Sequence, residues 1–144
     1  MIGIIIVGHG KFGLGLTSSL TMIAGEPQEY FALEFTDEMP LDELSTKIEA
    51  AINELDHDKG IVVLTDLLGG TPFKTAMLLK EKYQNLAILT GTNLPMLIEL
   101  NLMRQFSEDV FELAKKIEAT GRQQVQYIEE ISVKEDVEDD EEGI

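Results

Sequence analysis

Apolar and polar positions follow two periods along this chain, and the switches between them mark its elements. Residues 2–7 read Ile, Gly, Ile, Ile, Ile, Val, the near-continuous apolar run of a strand buried on both faces. Helical spacing then takes over from about Phe12 to Ala24, with Gly25, Glu26 and Pro27 as a stop signal. A second strand is predicted over Glu29 to Phe35. A second helix runs from about Leu41 to Leu55, where Leu41, Leu44, Ile48, Ile52 and Leu55 recur on one face. Gly60 opens a third strand through Thr65, and a helix from about Pro72 to Tyr83 leads to a fourth strand, Leu86 to Thr90. The loop Gly91 to Pro95 and helical residues to about Thr120 follow, and Gln126 to Val133 form a last candidate strand.

Strands alternating with helices predict an α/β protein: a doubly wound, mainly parallel sheet with right-handed crossovers and helices on both faces. Strand order 2-1-3-4 is expected, with the C-terminal strand added at an edge, antiparallel. In that order the sheet changes its direction of growth between the first and third strands. A crevice opens there at the strands' carboxyl ends, where such folds hold ligands.

Composition limits what that crevice can do. The chain has 144 residues, which suits a single domain, read here as residues 1–134 followed by an acidic, disordered tail at 135–144. The formal net charge is -16, and seven of the acids are Glu135, Asp136, Glu138, Asp139, Asp140, Glu141 and Glu142. Since Lys and Arg form no cluster, a nucleic-acid partner is not expected. No apolar run approaches the ~20 residues of a membrane span, and the first residues lack the basic leader of a signal peptide. A cytoplasmic location is therefore expected, in agreement with the absence of cysteine.

With no cysteine and two histidines, few groups can act as nucleophiles near neutral pH. His9 follows the first strand, between Gly8 and Gly10, and so stands at one lip of the crevice; Asp66 follows the third strand and stands at the other. A carboxylate that accepts from one imidazole nitrogen fixes the tautomer and leaves the other nitrogen's lone pair free to attack. Gly8, Gly10 and Gly13 precede one helix, and Gly69, Gly70 and Thr71 precede another that begins with Pro72. Backbone N–H groups at Gly10, Gly69, Gly70 and Thr71 make an anion site suited to a phosphoryl group, helped by the helix dipole. The Thr71 hydroxyl either joins that site or caps its helix. Lys11 either adds a positive charge near the site or is a solvated lysine, and Asn93 and Pro95 either shape the far wall of the crevice or serve only as turn residues. No metal and no cofactor is expected, because ligand-spaced clusters and a Walker loop are both missing from the sequence. His57 lies in a polar loop and reads as a solvated histidine; Met22, Met77 and Met96 read as core filler. The competing reading is a Rossmann-like nucleotide-binding module, since GHGKFG fits G-x-G-x-x-G and Glu34 lies about 20 residues beyond Gly13.

Three segments carry a family resemblance in the right order: the His9 strand end, DLLGGTPF from Asp66 to Phe73, and GTNLPML from Gly91 to Leu97. From Met1 to about Gly121 and Arg122 the chain resembles an enzyme IIA domain of the mannose family of the bacterial sugar phosphotransferase system. The resemblance implies a cytoplasmic phosphocarrier that accepts a phosphoryl group from HPr on His9, oriented by Asp66, and passes it to enzyme IIB. It also implies a homodimer with the last strand exchanged between subunits, and contact with the membrane only through the transporter complex. Some members carry an aromatic residue where this chain has Leu68, so their partner surface and sugar are not carried over.

Overall fold

A computed structural model gives the fold, and the structure describes residues 1–129. Its elements are β1 (Gly3–His9), α1 (Phe12–Ala24), β2 (Tyr30–Phe35), α2 (Leu41–Glu54), β3 (Ile61–Thr65), α3 (Thr71–Lys80), β4 (Leu86–Leu89), α4 (Leu94–Met103), a 3₁₀ turn (Arg104–Phe106) and α5 (Val110–Gln124). All four strands are parallel, as the alternation of elements predicted, and their order is the expected β2-β1-β3-β4.

Strand side chains divide the core into two layers. Ile2, Ile4, Ile6, Val62, Leu64 and Ala87 point to one face and are covered by Leu20 of α1, Leu97 and Leu100 of α4, and Leu113 and Ile117 of α5. Ile5, Val7, Ile61 and Val63 point to the other face, beneath Leu44, Ile48 and Ile52 of α2 and Ala76 and Leu79 of α3. Because both faces are covered, the strands cannot show a polar alternation, which explains the unbroken apolar runs. Among the described residues no helix is long and apolar enough to cross a membrane.

Element ends differ from expectation for local reasons. The second strand begins at Tyr30 rather than Glu29, because Glu29 takes a left-handed backbone (φ 48°) that breaks strand geometry. The helix expected to reach Tyr83 stops at Lys80, and the third and fourth strands are each one residue shorter than expected. The helical stretch after Pro95 divides in two, with Asp109 capping α5 by accepting from the N–H groups of Phe111 and Glu112. Of the last candidate strand, Gln126 to Glu129 are not in a strand, and 130–133 lie outside the described residues, as does the acidic tail. The core-filler reading holds for Met96, which is buried, but not for Met22 and Met77, which are exposed. Met22 is 91% exposed.

Arg104 is the largest fully buried side chain. Nη1 donates to the carbonyls of Ile2 (3.1 Å) and Glu29 (2.9 Å), and Nη2 donates to Gln28 O and Asn101 Oδ1. The guanidinium thus ties the start of β1 to the entry of β2. Burial pushes its pKa down to about 10, with Tyr30 and Glu29 pulling the other way, so it stays charged at neutral pH. Arg104→Met should lower unfolding stability by about 2–4 kcal/mol, since it strips these acceptors of a buried donor. Arg104→Lys should recover only part, because one ammonium cannot match the planar fork. Urea unfolding checks both; a Met variant as stable as the parent would contradict the role.

Candidate functional site

Parallel pairing puts the ends of β1 and β3 side by side: Val7 opposes Thr65, so the next residues, Gly8 and Asp66, meet at the rim of the sheet. Asp66 Oδ2 accepts two hydrogen bonds from His9, one from its backbone N–H and one from ring Nδ1, each 2.8 Å. Oδ1 accepts from the Leu67 N–H at 2.8 Å. Burial opposes ionisation of this carboxyl, but the three hydrogen bonds outweigh it and hold its pKa below the usual carboxylate range. An ionised carboxylate only accepts, so Nδ1 carries a proton, and in the neutral form of the ring Nε2 holds the lone pair. The imidazole is 45% exposed and the carboxylate 11%, which suits a nucleophile that faces a partner and an orienting group that stays covered.

Two glycines make this approach possible. A Cβ on Gly8 would lie 3.0 Å from Asp66 Cγ and 2.6 Å from the Phe12 ring, so any side chain there would push the carboxylate away. A Cβ on Gly70 would come within 3.1 Å of His9 Cε1. The imidazole also meets the Phe35 ring edge-to-face, with centroids 5.6 Å apart.

The backbone amides are not equivalent. The Gly10 N–H donates to Phe35 O at 2.7 Å, and the Gly70 N–H to Leu67 O at 3.0 Å. Those of Gly69 and Thr71 have no acceptor among the described residues. Gly70 holds the cap position of α3, so the Thr71 hydroxyl does not cap this helix. Lys11 is exposed ahead of α1 and forms no ion pair among the described residues.

The loop after β4 braces the pair from behind. Gly91 N–H donates to Asp66 O at 3.0 Å, and Thr92 bonds Thr65 O through both its N–H and its hydroxyl. Asn93 caps α4 by accepting from the Met96 N–H and donates to Gly121 O, so its side chain is committed to the fold. Sequence reasoning missed Phe35, and it missed the bracing role of Gly91 and Thr92 although both open the GTNLPML segment that carries the family resemblance. For Phe35 there was no signal beyond strand propensity. His57 lies just before β3, at the opposite end of the sheet from His9, where its ring meets Tyr83.

The dinucleotide alternative asks the glycine loop to approach a pyrophosphate. Here Gly8 makes room for a carboxylate, and the His9 side chain occupies the mouth of the loop. Fold and site together define an α/β protein with one carboxylate-oriented imidazole at the switch point of a parallel sheet.

The family model described as "PTS system fructose IIA component" (EIIA-man) matches residues 3–136, beyond the Gly121–Arg122 limit of the sequence resemblance. The chain is 30% identical over 130 residues to the fructose-specific EIIA component of Bacillus subtilis, covering 90% of this chain and 88% of that protein. It is 29% identical over 127 residues to the mannose-specific EIIAB component of Escherichia coli, covering 88% of this chain but only 39% of that longer relative. Among solved structures, an EIIA component from Streptococcus agalactiae superposes with a TM-score of 0.82 at 36% identity, covering 88% of this chain and 97% of that one. A mannose/sorbose-specific IIA subunit from Enterococcus faecalis gives 0.81 at 30% identity, covering 90% and 96%. The chain belongs to the mannose family of enzyme IIA components of the sugar phosphotransferase system.

Proposed function

We propose that this chain carries a phosphoryl group on His9, taking it from phosphorylated HPr and delivering it to enzyme IIB in the cytoplasm. The supporting observation is the 2.8 Å bond between His9 Nδ1 and Asp66 Oδ2, which leaves Nε2 as an exposed nucleophile. In the first transfer Nε2 attacks the phosphorus in line, the new N–P bond forms, and the P–N bond to the donor histidine breaks. Nδ1 keeps its proton throughout, and Asp66 offsets the positive charge that develops on the ring. The amides of Gly69 and Thr71, with the Thr71 hydroxyl, receive the phosphoryl oxygens at the N-terminus of α3. Gly10 and Gly70, whose own N–H groups are engaged, serve by leaving space. The second transfer runs the same steps toward a nucleophile on enzyme IIB.

The homodimer with an exchanged strand belongs to the same reading. Among the described residues β4 pairs only with β3, and Val125 lines a cleft beside its outer edge together with Ile88, Leu89 and Thr90. Val125, Tyr127 and Ile128, which follow α5 in the chain, are exposed apolar groups. Such a pattern suits pairing with a further strand.

Incubation with phosphoenolpyruvate, enzyme I and HPr should give a single phosphate per chain, labile in acid and stable in base, on the peptide containing His9. Phosphate on any other peptide, or none at all, rejects the carrier reading.

A further inference from the structure

We infer that Phe35 is a positioning residue for His9, holding the imidazole in the orientation that keeps Nδ1 on Asp66 and turns Nε2 outward. The inference rests on the carrier reading of His9 and adds the residue that sets its aim.

Four observations converge on Phe35. It is the register partner of His9 across β1 and β2. Its carbonyl accepts the Gly10 N–H at 2.7 Å, fixing the backbone just after His9. Its ring meets the imidazole at an interplanar angle of 79°. The same ring packs against the buried cluster beneath α2 and α3, so the wall it offers is anchored in the core.

Such a wall is needed because the imidazole turns about a terminal sp³–sp² bond, whose rotation has broad and roughly two-fold preferences. Half a turn about that bond exchanges Nδ1 with Cδ2 and Nε2 with Cε1. It would break the bond to Asp66 and point carbon where the attacking nitrogen belongs. One hydrogen bond at a half-exposed rim resists this weakly, since water competes for both partners. Phe35 against the ring, the close approach of Gly70 at Cε1 and the bond from Nδ1 to Asp66 together confine the imidazole. Lacking a polar group near the reacting nitrogen, Phe35 takes no part in the bond changes themselves.

The experiment compares Phe35→Leu and Phe35→Tyr with the parent by ¹⁵N NMR of the His9 ring in the unphosphorylated protein, then by steady-state transfer from phosphorylated HPr. In the parent and in Phe35→Tyr, Nδ1 should carry the proton and Nε2 should give the shift of an unprotonated nitrogen. Phe35→Leu should show a tautomer mixture, and its kcat should fall roughly 2- to 13-fold, the range expected for one lost aromatic contact, with KM for phosphorylated HPr unchanged. A parent-like tautomer and kcat in Phe35→Leu overturn the proposal, and so does a loss that falls entirely on KM. Should that variant fail to fold, proton contacts between the Phe35 and His9 rings in the parent decide: their presence supports the cradle and their absence overturns it. The tautomer measurement needs no donor, so a parent that takes no phosphate from HPr counts against the carrier reading and not against Phe35.

Discussion

His9→Ala should abolish phosphoryl uptake from HPr, whereas His57→Ala should leave it intact. The contrast is demanding because the chain contains only these two histidines and no cysteine, so His57 is the one other imidazole that could substitute. His57 has the same imidazole, yet it lies at the other end of the sheet and has Tyr83, not a carboxylate, against its ring. Its main chain serves the fold, accepting from Gly60 N–H and Asn85 Nδ2, and neither bond is touched by truncating the side chain. Radiolabel from phosphoenolpyruvate, counted after gel separation under alkaline conditions, reads both variants at once. Label retained by His9→Ala would remove the basis of the mechanism.

Asp66→Ala should slow transfer by ~10²–10⁴-fold, the range typical of groups that orient a catalytic imidazole or exchange its protons. Three losses add up in this variant. The neutral ring no longer has its tautomer chosen for it, the developing imidazolium loses its counter-charge, and the His9 backbone N–H loses its acceptor. Asp66→Asn should be slowed less, since its one carbonyl oxygen can still accept while the negative charge is gone. Rapid-quench measurement of phosphohistidine formation separates the three proteins, and parent-like rates in Asp66→Ala would show that the pair is structural only. A stability signature accompanies the kinetic one. Because the folded pKa of Asp66 lies below its unfolded value, the ionised carboxylate stabilises the fold above about pH 4, and this contribution fades as pH falls through the folded pKa. The Tm gap between parent and Asp66→Ala should therefore be widest near neutrality and narrow in acid.

The exposed apolar pair beside the site, Leu67 at 60% and Leu68 at 77% exposure, sits on the turn that delivers Asp66. That turn is held by its own carboxylate, since Asp66 Oδ1 accepts the Leu67 N–H. Loss of Asp66 thus loosens both the imidazole and the surface around it, which is why its predicted effect exceeds that of Phe35.

Much of this was legible along the chain, because local patterns carry it. Covered strands must be apolar throughout, surface helices must repeat every three to four residues, and glycine and proline punctuate both, so the parallel sheet followed from Ile4–Val7, Val62–Leu64 and the helices between them, while its order was expected by analogy with doubly wound folds. The patterns put His9 and Asp66 at strand ends, and the expected order made those strands adjacent. Sequence alone treated Gly10, Gly69, Gly70 and Thr71 alike, as open amides. Folding distinguished them, giving the Gly10 N–H to Phe35 and the Gly70 N–H to Leu67 while leaving those of Gly69 and Thr71 without a protein acceptor among the described residues. Only the tertiary structure decided that Nδ1 rather than Nε2 meets Asp66, that Phe35 walls the ring, that Gly91 and Thr92 brace the loop, and that an arginine far along the chain is sealed beneath the first strands. The reason is common to all four: each depends on the distance and direction between groups widely separated in sequence. Periodicity records which way a residue faces and says nothing of what it meets there.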